Sequence, residues 1–194
     1  MKKVSYSLRI GIVGNIETIK ETFFESLSKS AIKSNLTDRK YEFLLVFNQV
    51  PIKFRFFLKK NFDDLLYDYE NIQNLDVLIL TLNLYQPDSL ELIKKQKLEE
   101  FVETFSFQGI SILVGMDIPH ISNKPPPNKF KISRFQLEKT TKDLNFIYCF
   151  EILNKSKDIN EIYYVILNDY ILRFQFSNPE LFEQAKDYGK KLIN

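Results

Sequence analysis

Apolar positions along the chain follow two periods. Val4, Tyr6, Leu8, Ile10 and Ile12 alternate with Ser5, Ser7, Arg9 and Gly11, which predicts a first strand. From Glu17 to Ser34 the spacing of Ile19, Phe23, Phe24, Leu27 and Ile32 turns helical. The polar stretch Lys33 to Lys40 interrupts it. Tyr41–Phe47 and Val50–Leu58 then form two strand-like runs separated only by Asn48-Gln49, the spacing of a hairpin. In the second run Val50, Ile52, Phe54, Phe56 and Leu58 share one face. Lys53, Arg55 and Lys59 share the other, so that face is expected to be solvated.

After an acidic connection, Asp76–Leu82 and Gly109–Gly115 are nearly continuous apolar runs, as buried parallel strands require. Pro87-Asp88-Ser89 opens a charged helix that runs to about Phe105. The charges from Glu91 to Glu103 read as its solvated face, supported by i,i+4 pairs. A proline-rich loop follows from Pro119 to Asn128; its Pro125-Pro126-Pro127 reads as a stiff loop, with a short polyproline ligand as the alternative. A helix over 131–144, a strand over 146–152 and a helix over 159–174 come next. Asn178-Pro179-Glu180 starts a last helix with Leu181, Phe182, Ala185, Tyr188 and Leu192 near one face. Strands alternating with helices, plus one early hairpin, specify an α/β fold with a mostly parallel sheet.

Composition narrows the function classes. At 194 residues, 44% of them apolar and 27% charged, the chain has enough material for one globular core. Its 27 basic and 25 acidic side chains give a net charge of +2, too balanced to imply nucleic-acid binding. A single cysteine, Cys149, excludes an intramolecular disulfide and fits a reducing compartment. It reads as a small hydrophobe in a strand. His120 is the sole histidine, so a zinc or triad site is not expected. Neither a leader, nor a membrane-length apolar run, nor a lipidation motif is apparent, and the expectation is a cytoplasmic protein without a direct membrane anchor.

The candidate chemistry begins at Arg9-Ile-Gly-Ile-Val-Gly14-Asn-Ile-Glu-Thr-Ile-Lys20-Glu-Thr22. A strand, a Gly, five intervening residues and a Lys at a helix mouth match the layout G-x-x-x-x-G-K-[ST]. In that layout backbone N–H groups and the Lys cradle phosphates. Ile19 stands where the second Gly belongs, and Glu21 where the Mg²⁺-binding hydroxyl belongs.

The chain resembles the Ras-superfamily small GTPases over roughly residues 5–174. The phrases that carry the resemblance are Ile10-Gly-Ile-Val-Gly14, the run Asp76–Ser89, Ile112-Leu-Val-Gly115, and Phe150-Glu-Ile-Leu-Asn-Lys155 with the helix after it. It implies a Ras-like G domain over 1–174: a mixed, six-stranded, mostly parallel sheet with helices on both faces. Residues 175–194 would form an extra C-terminal helical extension. The motifs that carry the family's chemistry are degraded. The Asp-x-x-Gly motif aligns with Phe57-Leu-Lys-Lys60, with Asn61 at the water-orienting position. Asp63 and Asp64 read as an N-cap pair for the next helix. Asn-Lys-x-Asp aligns with Met116-Asp-Ile-Pro119, and of Ser-Ala-Lys only Lys155 remains.

Phosphoryl transfer depends on positioning and on charge neutralisation around Mg²⁺, so these losses imply a pseudo-GTPase. Such a protein would need no cofactor and would act as a protein-interaction or scaffold subunit in a hetero- or homo-oligomer. Lys53, Arg55 and Phe57 on the hairpin, with Phe182 and Tyr188 on the last helix, are its candidate partner contacts; the last helix either packs back on the domain or presents its apolar stripe to a partner. The alternative is a divergent, active GTP-binding protein holding GTP or GDP with Mg²⁺. It would use Gly14, Lys20 and Lys155 toward the nucleotide, Thr22 and Thr37 toward Mg²⁺, and Asp117 toward the base.

Overall fold

In a computed structural model of the chain, residues 5–37, 40–86, 90, 95–117, 131–153 and 155–193 are described, without the side chains of Asn71, Lys95, Gln96, Lys155 and Ser156. The elements run β1 (Tyr6–Val13), helix α1, β2 (Lys33–Thr37), β3 (Lys40–Phe47), β4 (Val50–Lys59), α2 (Phe62–Tyr67), α3 (Tyr69–Ile72), β5 (Val77–Asn83), α4 (Lys95–Phe105), β6 (Ile110–Met116), α5 (Arg134–Asp143), β7 (Tyr148–Ile152), α6 (Lys155–Ser177) and α7 (Pro179–Ile193). Helix α1 is α-helical over Ile16–Ile19, π-helical over Lys20–Phe24, and α-helical again over Glu25–Ser30. Among the described residues, no helix is long and apolar enough to cross a membrane.

One seven-stranded sheet has the order β2-β3-β4-β1-β5-β6-β7. The pairs β2·β3 and β3·β4 are antiparallel, and every later pair, from β4·β1 to β6·β7, is parallel. The alternation in β1, the hairpin and the buried runs at β5 and β6 all have their expected place. Asn48 and Gln49 both take positive φ (49° and 68°), as a two-residue hairpin turn requires.

The sheet has seven strands rather than six, because Lys33–Thr37 pairs with β3 along its whole length. All five of its side chains are exposed. Pairing at a sheet edge is a backbone matter, so no hydrophobic alternation marked this strand in the sequence. The first helix accordingly ends at Ser30 rather than Ser34, where Ala31 turns extended. The acidic connection winds into α2 and α3. Its N-cap is Asn61, whose Oδ1 accepts the Asp64 N–H at 2.8 Å, so Asp63 and Asp64 sit in the first turn instead of capping it.

Two apolar layers flank the sheet. On one face Leu8, Ile10, Phe54 and Phe56 pack with Phe23 and Phe24 of α1, Ile162, Ile166 and Phe174 of α6, and Phe182 and Ala185 of α7. On the other, Leu78, Leu80 and Leu113 pack with Leu65 of α2, Phe101 of α4 and Leu137 of α5. Helix α7 therefore folds back on its own chain. Phe182 stacks edge-on to Phe174 with ring centroids 5.7 Å apart, and Gly189 lies directly against the hairpin turn.

The π-turn in α1 has an identifiable partner. A π-bulge widens the helix and strains its carbonyl pairing, and here the buried Tyr163 hydroxyl donates to the Phe23 carbonyl at 2.7 Å. Burial alone pushes the Tyr163 hydroxyl far above its ordinary pKa, so it stays a donor.

Candidate functional site

The strand-to-helix turn at the end of β1 is two residues long, Gly14 and Asn15. Residues 16–19, which would have to wrap a phosphate, are already wound into α1. Asn15 caps that helix with its own side chain: Oδ1 accepts the Thr18 N–H at 3.0 Å and the Thr18 hydroxyl at 3.1 Å. Gly14 is required here on two grounds. Its φ is +148°, and a Cβ would sit 1.8 Å from Thr81 Oγ1. Thr81 in turn donates its hydroxyl to the Val13 carbonyl at 2.9 Å, so a β5 side chain fills the space above the turn. The Gly14 N–H is spent on the Lys59 carbonyl at 2.8 Å.

Lys20 falls in the second turn of α1 instead of at its mouth. Its ammonium lies 5.6 Å from the Tyr41 ring centroid and 3.4 Å from Glu17. Hydrogen bonding to Tyr41, and secondarily to Glu17, raises its pKa, so it is a firmly charged lysine with local partners. Ile19, in the place of the second motif glycine, is fully buried. Thr22 is buried as well, at 5% exposure, which removes its hydroxyl from any Mg²⁺ in solution. Thr37 ends β2 and shares with Lys20 an open cleft of about 720 Å³, also lined by Glu21, Phe24, Leu36 and Tyr41.

Asp117 follows β6 at the carboxyl end of the sheet, where parallel α/β folds bind ligands. It is engaged there. The Tyr85 hydroxyl donates to Asp117 Oδ2 at 3.3 Å, and Lys131 Nζ lies 3.5 Å from the same oxygen and 3.4 Å from Glu151. Burial opposes charge on Lys131, but Glu151 and Asp117 outweigh it and raise its pKa. Lys155 begins α6, with its side chain outside the described residues. His120, the loop from Pro119 to Asn128 and the helix start at Pro87–Ser89 also lie outside them.

The candidate nucleotide residues are thus distributed over three places. Gly14 and Asp117 lie at the carboxyl rim of the sheet, Lys20 and Thr37 in the lateral cleft, and Thr22 in the core. No group of His, Cys, Asp and Glu among the described residues could hold a metal ion.

The candidate partner residues separate in the same way. Phe182 is a core residue at 6% exposure, and Tyr188 is half-buried on α7. Phe182 and Ala185 belong to the intramolecular packing of that helix, so of the two arrangements left open by the sequence, these two residues take the one in which the helix packs on its own chain. Phe57 lies under the Arg9 guanidinium, 5.0 Å from its ring centroid. Lys53 and Arg55 stay at the surface, converging with Lys40 on Glu42 at 3.1, 3.0 and 3.4 Å. Burial alone would raise the Glu42 pKa; hydrogen bonds and charge from Lys53 and Lys40 bring it below the ordinary value.

Glu42, Tyr41, Tyr85, Lys131 and Glu151 were not singled out in the sequence. Only Glu42 carried a usable signal, since the two-residue turn sets it opposite Arg55. The cluster at Lys131 joins residues from four separate segments of the chain and had none.

No protein-family model matches the chain, and no curated protein is significantly similar to it. What stands is an α/β domain with a mixed seven-stranded sheet, a short capped turn at the end of β1, and a cation-rich outer sheet face.

Proposed function

We propose that the chain is a small-GTPase-like protein that has lost nucleotide binding and works as a protein-interaction or scaffold subunit. The observation that carries this reading is the closed turn at Gly14-Asn15. Phosphate cradles need free backbone N–H groups curving around an anion. Here the loop is two residues long, its cap is a side chain of the protein, and Lys20 points to Tyr41 and Glu17. The sheet order supports the family resemblance: an antiparallel hairpin leads into a parallel run with β1 in its interior.

The surface left for a partner is the outer face of β2, β3 and β4. Lys33, Asn35 and Thr37 of β2 share this face with Lys40, Glu42, Lys53 and Arg55. Among the described residues, Glu42 is the one carboxylate set among these cations, which suits the face to an acidic protein surface and sets its orientation.

The second reading, a divergent GTP-binding protein, has one observation in its favour: Lys20 and Thr37 line a common cleft. Titration of nucleotide-stripped protein with labelled GTP, GDP and ATP, with and without Mg²⁺, separates the two. The scaffold reading expects no saturable binding. Mg²⁺-dependent binding at micromolar or tighter affinity, lost in Lys20→Ala, would overturn it.

A further inference from the structure

The two edges of the sheet differ in character. At β2 every side chain is exposed and the strand reads Lys-Ser-Asn-Leu-Thr, an edge dressed for water. At the other end β7 pairs, among the described residues, only with β6. Its segment, Ile147-Tyr-Cys-Phe-Glu-Ile-Leu153, contains no Lys, Arg or Pro to blunt it. Ile147 and Leu153 at its two ends are 54% and 61% exposed. Phe135, on the helix that packs against β7, is 75% exposed. The Ile147 N–H is bonded to the Ser111 carbonyl at 3.0 Å and the Leu153 N–H to Asp158 Oδ2 at 2.8 Å, so the edge offered for strand addition is Tyr148–Ile152, flanked by exposed apolar side chains.

We infer that two copies of this chain associate by antiparallel pairing of β7 with β7, joining two sheets into one. The segment is self-complementary about Phe150, as a two-fold, isologous contact demands. Pairing centred there sets Ile147 opposite the partner's Leu153, Tyr148 opposite the partner's Ile152, and Cys149 opposite the partner's Glu151. The apolar ends therefore meet apolar ends. On the face shared with α5, Ile147 and the partner's Leu153 cover each other. On the other face Tyr148, Phe150 and Ile152, already packed on the core beneath α6, extend that layer across the junction.

Charge favours a second copy over a partner of strong charge. The one acid on the edge, Glu151, is 17% exposed and bridged by Lys131 within its own chain. Two identical edges therefore approach without an unpaired like charge. The reading is independent of whether nucleotide binds, because none of these residues touches the turn at Gly14 or the Lys20 cleft.

Sedimentation velocity on the full chain, up to about 1 mM, tests it. A reversible species of twice the 23.0 kDa monomer mass is expected. Ile147→Lys and Leu153→Lys, both at exposed positions, are expected to weaken it at least tenfold with unchanged circular dichroism. Leu36→Lys on the opposite edge is expected to leave it intact. Location is read separately. In a Cys149→Ser background, Ile147→Cys with Leu153→Cys places thiols on directly opposed residues of the two copies, about 5 Å apart at Cβ. A short bis-maleimide is expected to give a covalent dimer, whereas Leu36→Cys in the same background gives none. A chain that stays monomeric throughout overturns the inference. So does a dimer that survives both lysine variants, or one that the paired cysteines fail to cross-link.

Discussion

Gly189 in α7 offers the sharpest test of how the chain is held together, because two ordinary effects predict opposite signs. In an exposed helix interior, Gly→Ala stabilises by about 1 kcal/mol through backbone entropy. At this position a Cβ would lie 1.8 Å from the Gln49 carbonyl oxygen, 2.7 Å from its carbon and 3.1 Å from Pro51 Cδ. The obstacle is turn backbone in a left-handed conformation, with no flexible tip to swing aside. Relief requires α7 to lift by more than 1 Å, a figure on the scale of overpacking that costs about 1–3 kcal/mol. Lifting also loosens Phe182 and Ala185, both buried in the first core layer. Full loss of the Phe182 contact would forfeit about 1.5–3 kcal/mol. The net expectation for Gly189→Ala is a destabilisation of about 1–2 kcal/mol, read as a lower midpoint in urea at unchanged slope. Hydrogen exchange should accelerate most in 179–193 and in the hairpin turn. A variant as stable as the parent, or more stable, would show that α7 does not seat on the turn and would refute the intramolecular docking.

Other expectations rest on single contacts. Glu42→Gln leaves Lys40, Lys53 and Arg55 facing one another; because these partners are partly solvated, the cost at neutral pH should be about 1 kcal/mol. The Glu42 pKa is depressed in the folded state, so its contribution is complete above the ordinary value of 4.5 and fades as pH falls through the lower folded value. Acid titration of stability should therefore be shallower in the variant, and an unchanged acid limb would argue against the cluster. Tyr163→Phe strands the buried Phe23 carbonyl and should lower stability by about 1–3 kcal/mol in urea denaturation. Gly14→Ala meets both the φ of +148° and Thr81, so adding Thr81→Ala should restore only part of the lost thermal midpoint, since the backbone strain remains.

Much of the fold was legible because it follows from local periodicity. The runs at Val77–Asn83 and Ile110–Met116 are apolar on both faces, and only a strand covered on both sides explains that. Asn48-Gln49 set the hairpin register, and with it the meeting of Glu42 and Arg55. The edge strand Lys33–Thr37 was not legible, because its stability comes from backbone pairing with β3 while its side chains face water. The candidate site was legible only as a spacing. Gly14 and Lys20 are as far apart in sequence as a phosphate loop demands, yet spacing does not say where the helix starts. Asn15 decides that, by capping α1 at the residue after Gly14.

The order of the apolar strands and the longer helices, the hairpin, and the chemical inventory of the chain were written in the sequence, since each depends on neighbours within a few residues. The tertiary structure decided the rest. It closed the turn at the end of β1 under Thr81, tied Asp117 to Lys131 and Tyr85, and laid α7 on the hairpin. These outcomes join residues tens of positions apart, and their free energy comes from burial and pairing that exist only once the sheet has assembled.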